Sequence, residues 1–246
     1  MRKEIILFIR KFNHVRSLGF VEAINNDNSG IGLTFEKLIG KEIDNFPFPD
    51  FQNLIEIKTK LSYSKTPIHL FRLTPNGICF VETKRLYEKY SYYNTKNKAY
   101  KVFNGTIYSN KISKIGLYYF SFDGNYTEKK VRLLIYNSKI RMIDNSTYWE
   151  FDDLKNALER KLHYLAIVFV WQKILNKQKY YKYFKYNIYK LSNFNTFLKL
   201  LSTGIITITF SIDIYKNKKR YGQIHDHGTT FNININDIEK LFIKVL

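Results

Sequence analysis

Residues 49–60 read PDFQNLIEIKTK, and the interpretation of the fold starts from them. Pro47 and Pro49 stop helix formation, and residues 51–60 then alternate between apolar and polar in the manner of a β-strand. Residues two apart in a strand share a face, so Glu56 and Lys58 point to one side. Ile55 and Ile57 then point into the core. The stretch therefore predicts a strand that presents charged groups on one side of an apolar body.

A second carboxylate lies at the start of the same stretch. Asp50 can bring its side chain to the edge that carries Glu56, and two carboxylates with waters and a phosphate oxygen form the hard oxygen site that Mg²⁺ prefers. Such an ion activates water toward a phosphodiester. Lys58 is expected to orient that water and to offset the charge that develops on the phosphate. The alternative is that Glu56 and Lys58 form a surface ion pair of little energetic weight.

The residues before the strand predict two helices. Residues 2–18 have the spacing of an amphipathic helix, and after a polar turn Thr34 is expected to cap a second helix. Glu36 lies in the first turn of that second helix, from which it would bind the metal through water or orient the nucleophile. The candidate catalytic residues are Glu36, Asp50, Glu56 and Lys58, of which Asp50 and Glu56 are the candidate metal ligands.

Beyond the strand, the pattern predicts further strands and one helix. Strands are expected at residues 68–73, 131–136 and 164–171, and a helix at 151–161, where Leu154, Ala157 and Leu158 recur at helical spacing. Residues 75–130 show weak periodicity, which indicates hairpins or long loops inserted between core strands. The predicted fold class is mixed α/β, with a mixed β-sheet flanked by helices.

The charge balance points to a polyanionic partner. The 246 residues carry a formal net charge of +19 and have a pI near 9.7, a charge that a partner must neutralise or the fold must tolerate. Hydrophobic residues make up 45% of the chain, which is enough for a substantial core. The alternative explanation for the lysine excess is A/T-rich coding, since Asn, Ile and Tyr are also abundant.

Cysteine usage and hydropathy predict a cytoplasmic protein. The single cysteine, Cys79, cannot form an internal disulfide, and the N-terminus has no secretory signal pattern. The longest apolar run, Tyr164–Trp171, is well short of the roughly 20 residues that a membrane-spanning helix needs. No membrane partner is expected.

The chain changes character after Trp171. Residues 173–190 hold six lysines and no acid, interleaved with tyrosines, which favours phosphate contacts, with a solvated basic face as the alternative. A hairpin is predicted between residues 205–214 and 231–235, joined by a basic loop. We therefore place a catalytic lobe at residues 1–172, with an insertion at 75–130, and a second lobe at 173–246.

Short motifs along the chain occur in the order and with the spacing of a known family. They are NSGIG at 28–32, TFE at 34–36, PD at 49–50, IEIKT at 55–59, MIDNS at 142–146, YW at 148–149, FD at 151–152, KL at 161–162, KYYKY at 179–183, and HDHGT at 225–229 with Phe231. With these motifs the chain resembles, over nearly its whole length, the MvaI/BcnI group of type II restriction endonucleases, which are PD-(D/E)XK nucleases related to MutH.

The resemblance implies a PD-(D/E)XK core and a DNA-recognition lobe that together form a cleft. It also implies Mg²⁺ as cofactor, duplex DNA as substrate, and hydrolysis at a short recognition sequence that leaves 5′-phosphates. Relatives of this kind act as monomers, and a cognate DNA methyltransferase is expected in the same system.

The chain departs from the family pattern at three places. Five residues separate Asp50 from Glu56, one more than the resemblance leads us to expect, so a bulge or shifted turn is predicted there. Ser211 and Asn232 stand where the resemblance predicts arginines, and arginine gives the commonest bidentate contact to guanine. The family's usual CC-x-GG target therefore does not carry over to this chain.

The second lobe is expected to supply base contacts. The imidazoles of His225 and His227 can donate to guanine, and Asp226 between them can accept from cytosine N4 or fix a histidine tautomer. The alternatives are a His-x-His metal site, for which no further His or Cys lies nearby in the sequence, and plain loop residues. The full set of predicted DNA-binding residues, including positions added by the resemblance, is His225, Asp226, His227, Tyr215, Asn232, Lys219, Arg220, Lys179 and Lys182.

Two other functions stay open at this level. One is a MutH-like nicking endonuclease of repair, which would need a partner to activate it. The other is a nucleic-acid-binding protein without catalysis, which reads RNA or DNA through its aromatic residues. The intact set of three carboxylates and Lys58 argues against the non-catalytic alternative.

Overall fold

The computed structural model describes residues 2–41, 48–76, 80–94, 100–216 and 218–246. Its α-helices are α1 Lys3–Ser17, α2 Gly30–Leu38, α3 Phe80–Tyr90, α4 Phe151–Lys161, α5 Phe194–Ser202 and α6 Ile238–Leu241. Its strands are β1 Val21–Glu22, β2 Ile55–Leu61, β3 Ile68–Arg72, β4 Tyr92–Tyr93, β5 Lys101–Ile107, β6 Ser113–Ile115, β7 Tyr118–Asn125, β8 Lys130–Tyr136, β9 Met142–Asp144, β10 Tyr148–Glu150, β11 Tyr164–Leu175, β12 Gln178–Leu191, β13 Ile206–Ile214, β14 Ile224–Asp226, β15 Thr230–Ile233 and β16 Phe242–Lys244. The predicted mixed class is confirmed. None of the helices in these ranges is long and apolar enough to cross a membrane.

The chain forms two compact units, each assembled from separate segments. The first unit contains residues 1–66, 159–192 and 242–246. The second unit contains residues 67–158 and 193–241. The sequence-based boundary at residues 172 and 173 therefore differs from the observed division, because β12 pairs along its length with β11 and so belongs to the first unit.

The first unit is built on a five-stranded mixed sheet in the order β1-β12-β11-β2, with β16 paired to β12. Strand β2 runs parallel to β11, and the other pairs are antiparallel. Helices α1 and α2 supply apolar side chains to one core with this sheet, among them Phe8, Phe12 and Phe35, which meet Ile55 and Ile57 of β2. One face of β2 is thus committed to the core, and the next residues along it face the other way.

A long hairpin forms the middle of this sheet. Strands β11 and β12 pair from Tyr164 to Leu175, with one register shift between Phe169 and Val170. The turn between them consists of Asn176 and Lys177, whose φ angles of 49° and 67° are the left-handed values that a two-residue hairpin turn requires. The lysine-rich stretch 173–190 therefore covers the end of β11, the turn and most of β12, and it presents some of its side chains to each face of the sheet.

The second unit contains two further sheets. One has the order β3-β15-β13-β5-β4, with β14 paired to β13, and the other has the order β10-β8-β7-β6, with β9 paired to β8. Its core is aromatic, and rings of Phe71, Phe210 and Phe231 contact one another or Trp149. Buried aromatic pairs of this kind add to the area that they remove from water.

Residues 75–130 are part of this second unit. The range contains predicted hairpins, such as β6 with β7, but it also supplies a central strand and a helix and so is not an insertion into the first unit. Strand β5 pairs with β13 in the middle of a sheet, and residues 80–90 form helix α3. Hydrophobic periodicity does not reveal this helix, because polar and charged side chains lie on its buried side together with apolar ones. Glu82, Leu86 and Tyr90, four residues apart, are all buried, and Arg85 hydrogen-bonds to the Glu82 carboxylate.

Candidate active site

Asp50 is positioned by a tight turn that precedes β2. The Phe51 amide donates to the Ile55 carbonyl at 2.9 Å, and Gln52 and Asn53 both have φ of 51°. A turn therefore lies between Asp50 and Glu56, where a bulge or shifted turn was expected. The strand begins at Ile55, four residues later than expected, because residues 51–54 form the turn instead.

The Asp50 carboxylate is fixed by two hydrogen bonds. Its Oδ2 atom accepts from the Ile57 amide at 3.0 Å, and its Oδ1 atom accepts from the Lys41 ammonium at 2.7 Å. Strand β2 ends the path of its sheet, so the Ile57 amide can point away from β11 and reach Asp50. The turn and the strand edge together bring Asp50 to the start of the charged face.

Glu56 lies on β2 with a residue exposure of only 1%. Its Oε1 atom lies 2.5 Å from the Lys58 ammonium and 3.5 Å from the Lys161 ammonium at the end of α4. Its Oε2 atom is buried and has no hydrogen-bond partner among the described residues. Glu56 and Lys58 therefore do not form the surface ion pair of little energetic weight that was the alternative interpretation.

Glu36 joins the cluster through Lys41. The Lys41 ammonium lies 3.5 Å from Glu36 Oε2 and 2.7 Å from Asp50 Oδ1. Glu36 lies in the last turn of α2, not in its first turn as predicted, because the helix already begins at Gly30. The Thr34 hydroxyl accepts from the Ile24 amide at 3.0 Å instead of capping a helix.

The three carboxylates respond differently to their surroundings. Burial raises the pKa of Glu56 and of Glu36, and the nearby Asp50 charge adds to both shifts, against the effect of the lysines. Burial would raise the pKa of Asp50 too, but the Lys41 hydrogen bond, the Lys58 charge and the Ile57 amide together hold it below its usual range. Lys58 acts on all three groups, so it lies at the electrostatic centre of the cluster.

The cluster fits a divalent cation with oxygen ligands. A buried carboxylate oxygen without a hydrogen-bond donor lowers the free energy of unfolding, because it has lost its hydrogen bonds to water and has formed none in the protein. A cation beside Glu56 Oε2 would remove that cost, and Asp50 would supply a second oxygen. The donor set of carboxylates is the one that Mg²⁺ prefers.

The structure thus brings Glu36, Asp50, Glu56 and Lys58 into one cluster, all within the first unit. It also adds two lysines to which sequence reasoning gave no role, Lys41 and Lys161. The KL motif at 161–162 contributed to the family resemblance but carried no assignment. Nothing in the sequence around Lys41 indicates that it contacts two carboxylates.

A second polar group lies in the loop after β13, on β14 and directly after β14. The Arg220 guanidinium lies over the Tyr215 ring at 5.2 Å, the Tyr215 ring stacks on His225 with centroids 4.0 Å apart, and the His225 ring lies 4.0 Å from His227. We call these four residues the aromatic stack. All of them belong to the predicted set of DNA-binding residues, and Lys219 of the same loop is exposed.

Asp226 and Asn232 differ from their predicted settings. The Asp226 carboxylate accepts from the Thr83 hydroxyl at 2.9 Å and from the Gly228 amide at 2.7 Å, so it orders the loop. The carboxylate that contacts a histidine is Asp213, 2.9 Å from His227 Nε2. Asn232 is only 3% exposed, and its amide donates to the Thr209 hydroxyl, which argues against direct DNA contact.

Lys179 and Lys182 lie on β12 in the first unit, and both are partly exposed. The Lys182 ammonium lies 5.5 Å from the centre of the Trp171 ring, which itself stacks on Phe184. Tyr181 and Tyr183 of the same stretch are buried in the core. The lysine-rich stretch therefore places its tyrosines Tyr181 and Tyr183 in the core and leaves Lys179 and Lys182 partly exposed.

Two carboxylates and a lysine at the start of an edge strand form an arrangement that suits the hydrolysis of phosphodiesters. A family model, that of the MvaI/BcnI restriction endonuclease family, matches residues 9–242. The chain belongs to the MvaI/BcnI restriction endonuclease family. The predictions of this family and of a type II restriction endonuclease are both confirmed.

Solved structures give the same result. The chain is similar to restriction endonuclease MvaI in complex with its cognate DNA substrate, with 32% identity over 99% of this chain and 98% of that chain and a TM-score of 0.90. It is also similar to MvaI in the absence of DNA, with 31% identity over 99% and 97% of the two chains and a TM-score of 0.62. No curated protein sequence matches.

The burial of Glu56 predicts a measurable cost in stability. Because its pKa is raised in the folded protein, ionised Glu56 opposes folding as pH rises through that pKa. Glu56→Gln should therefore stabilise the protein in EDTA at neutral pH, because a neutral amide costs less to bury than a charged carboxylate. A gain of about 1 kcal/mol, or about 2–4 °C in Tm for a chain of this size, is expected. Thermal unfolding of both proteins measures the difference.

The gain should disappear below the unfolded pKa of glutamate, about 4.3, where wild-type Glu56 is protonated too. Glu159→Gln is the matched control, since Glu159 is exposed on α4 and should not change the Tm. A Glu56→Gln protein that is less stable than wild type at neutral pH would contradict the electrostatic description of the cluster.

Proposed function

We propose that the chain cuts double-stranded DNA at a short recognition sequence, in a Mg²⁺-dependent hydrolysis that leaves 5′-phosphates. The observation that carries the proposal is the buried, unpaired Glu56 Oε2 atom in a cluster of three carboxylates and three lysines. Family membership supports the DNA-hydrolysing activity. The proposed Mg²⁺ requirement and the proposed 5′-phosphate ends of the cut DNA rest on the cluster and on the family resemblance.

Asp50 and Glu56 would hold the ion. Bound there, Mg²⁺ would lower the pKa of an attacking water and polarise the scissile phosphate. Lys58 lies 2.5 Å from Glu56 Oε1 and is about one quarter exposed at its side chain, 27%. Its ammonium can therefore orient the nucleophile and offset charge on the phosphate while Glu56 keeps it in place.

The other groups orient the carboxylates and set their protonation. Lys41 holds Asp50 and Glu36 close together, and with Lys58 it keeps Asp50 ionised well below neutral pH. Glu36, whose pKa is raised by burial, is the group best placed to accept a proton from a water near the cluster. Lys161 shares Glu56 Oε1 with Lys58 and limits the movement of that carboxylate.

The aromatic stack supports a role in reading bases. His225, His227 and Arg220 present donors that suit guanine N7 and O6, and Tyr215 keeps His225 in a fixed ring plane. Lys179, Lys182 and Lys219 would contact phosphates, which position the protein without reading sequence. The similar structure of MvaI contains cognate DNA, which supports DNA as the ligand of this chain.

The target of this chain is proposed to differ from the family's usual CC-x-GG sequence. Ser211 and Asn232 replace the arginines expected at those positions, and buried Asn232 cannot supply an equivalent contact. Arg220 in the β13–β14 loop is the remaining guanidinium beside Tyr215. It would therefore have to take over part of the guanine recognition.

We further propose that the enzyme acts as a monomer in the cytoplasm, together with a methyltransferase of the same specificity. One chain carries both the carboxylate cluster and the aromatic stack, so a second copy is not needed to supply either. A nuclease with an accessible host genome requires its target sites to be protected, and methylation of those sites provides the protection.

Cleavage by the purified chain tests the function. Wild type with Mg²⁺ should convert supercoiled plasmid into linear fragments, and sequencing their ends should give one short target and 5′-phosphates. Asp50→Ala should lower the rate by at least about a thousandfold, the scale of removing one electrostatic catalytic group, while DNA affinity stays close to that of wild type.

Asp153→Ala serves as the control, because Asp153 is an exposed acid on α4 outside the cluster. Open circles without linear product from wild type would indicate the nicking enzyme instead. Full activity of Asp50→Ala would eliminate the proposed metal site.

Base reading by the aromatic stack predicts a loss of discrimination. His225→Ala should reduce the preference for the cognate site over sites with one changed base pair by about tenfold, since a good base contact contributes about 1–3 kcal/mol. Competition binding in Ca²⁺, which suppresses cleavage, measures this ratio. His14→Ala on the exposed face of α1 is the control, and equal discrimination in both variants would place recognition elsewhere.

A further inference from the structure

Three side chains of the second unit bring one carboxylate and two imidazoles together. Asp213 on β13 lies directly opposite His225 on β14 in the antiparallel register. His227 follows two residues later, so its side chain returns to the same face. Nε2 of His227 lies 2.9 Å from Asp213 Oδ1, and Nδ1 of His225 lies 3.8 Å from the same oxygen. One ligand atom from each residue lies within 4.8 Å of the other two.

This donor set suits an ion that prefers nitrogen. Zn²⁺ binds imidazole nitrogen at about 2.0–2.1 Å in tetrahedral geometry, which places two ligand atoms about 3.3 Å apart. The observed separations of 2.9 and 3.8 Å lie on either side of that value. Three protein ligands leave a fourth position for water. Mg²⁺ prefers oxygen ligands in octahedral geometry, so it competes poorly for these residues.

Neighbouring groups orient the three ligands. The Lys216 ammonium lies 3.1 Å from Asp213 Oδ2, which leaves Oδ1 directed to the histidines. The Tyr215 ring stacks on His225 at an interplanar angle of 17° and so fixes the imidazole plane. Supporting contacts of this kind are typical of metal sites.

We propose that Asp213, His225 and His227 form a second metal site, separate from the carboxylate cluster and selective for Zn²⁺ or a similar transition-metal ion. One consequence rests on the proposed function, which also assigns His225 and His227 to base reading. A bound ion would take up His227 Nε2 and His225 Nδ1, the atoms that lie beside Asp213 Oδ1, and would hold both rings in that orientation. Zn²⁺ therefore inhibits target recognition by keeping the two imidazoles from turning toward base edges, a route that does not involve the catalytic carboxylates.

Zinc binding by the full chain tests the site directly. The titration uses Asp50→Ala protein in excess Mg²⁺, so that the carboxylate cluster binds little zinc. A zinc indicator serves as the competitor. One Zn²⁺ per chain should bind. Adding His227→Ala should raise the Kd for zinc by at least about tenfold, the smallest effect seen even for supporting residues of metal sites. Adding His14→Ala instead should leave the Kd unchanged, because His14 is exposed on α1 in the other unit.

Circular dichroism checks that each variant is folded, and His227→Gln provides a less disruptive replacement. X-ray absorption at the zinc edge should show imidazole ligands. The absence of zinc uptake, or equal zinc affinity in folded His227 and His14 variants, would overturn the proposal.

DNA binding is measured separately, on Asp50→Ala with and without Zn²⁺. Lower affinity for the cognate duplex with zinc supports both the site and its effect on recognition. Zinc binding with unchanged DNA affinity would support the metal site alone and would remove the histidines from base reading. The failure of one proposal is thus distinguishable from the failure of the other.

Discussion

The burial of the Glu56 carboxylate is the constraint on which the candidate active site depends. Ile55 and Ile57 on either side of it are committed to the core with α1 and α2, so the strand cannot rotate to bring Glu56 into water. One carboxylate oxygen is shared by two ammonium groups, and the other has no donor among the described residues. The folded protein therefore holds one buried carboxylate oxygen without a donor, at the position where a cation would complete the set.

The two units differ in the chemistry that they offer to ligands. The first unit gathers oxygen ligands and ammonium groups around Asp50 and Glu56, which suits a hard cation beside a phosphodiester. The second unit gathers imidazoles, where Tyr215 stacks on His225 and Arg220 lies over Tyr215. In each case a strand edge or hairpin brings together side chains from separate positions. The difference between oxygen and nitrogen ligands would let one chain bind two kinds of ion at two separate sites.

Local patterns predicted much of the first unit, and long-range pairing explains what they missed. The period of two in β2 placed Glu56 and Lys58 on one face, and helix α4 has the predicted bounds. The two-unit division depends on strand pairs such as β13 with β5, which no local pattern reveals. The contact between Asp213 and His227 depends in the same way on hairpin register. The resemblance to a family supplied the class of enzyme, while the positions of Lys41 and Lys161 required the folded chain.

Anomalous diffraction from crystals soaked in Mn²⁺ would locate an ion beside Glu56, because Mn²⁺ binds the same oxygen ligands as Mg²⁺ and its position can be read without measuring activity. We expect an anomalous peak bonded to Asp50 and Glu56, with the otherwise unpaired Glu56 Oε2 as a ligand. A Glu56 carboxylate that stays buried without an ion, while Mn²⁺ binds elsewhere on the chain, would contradict that expectation.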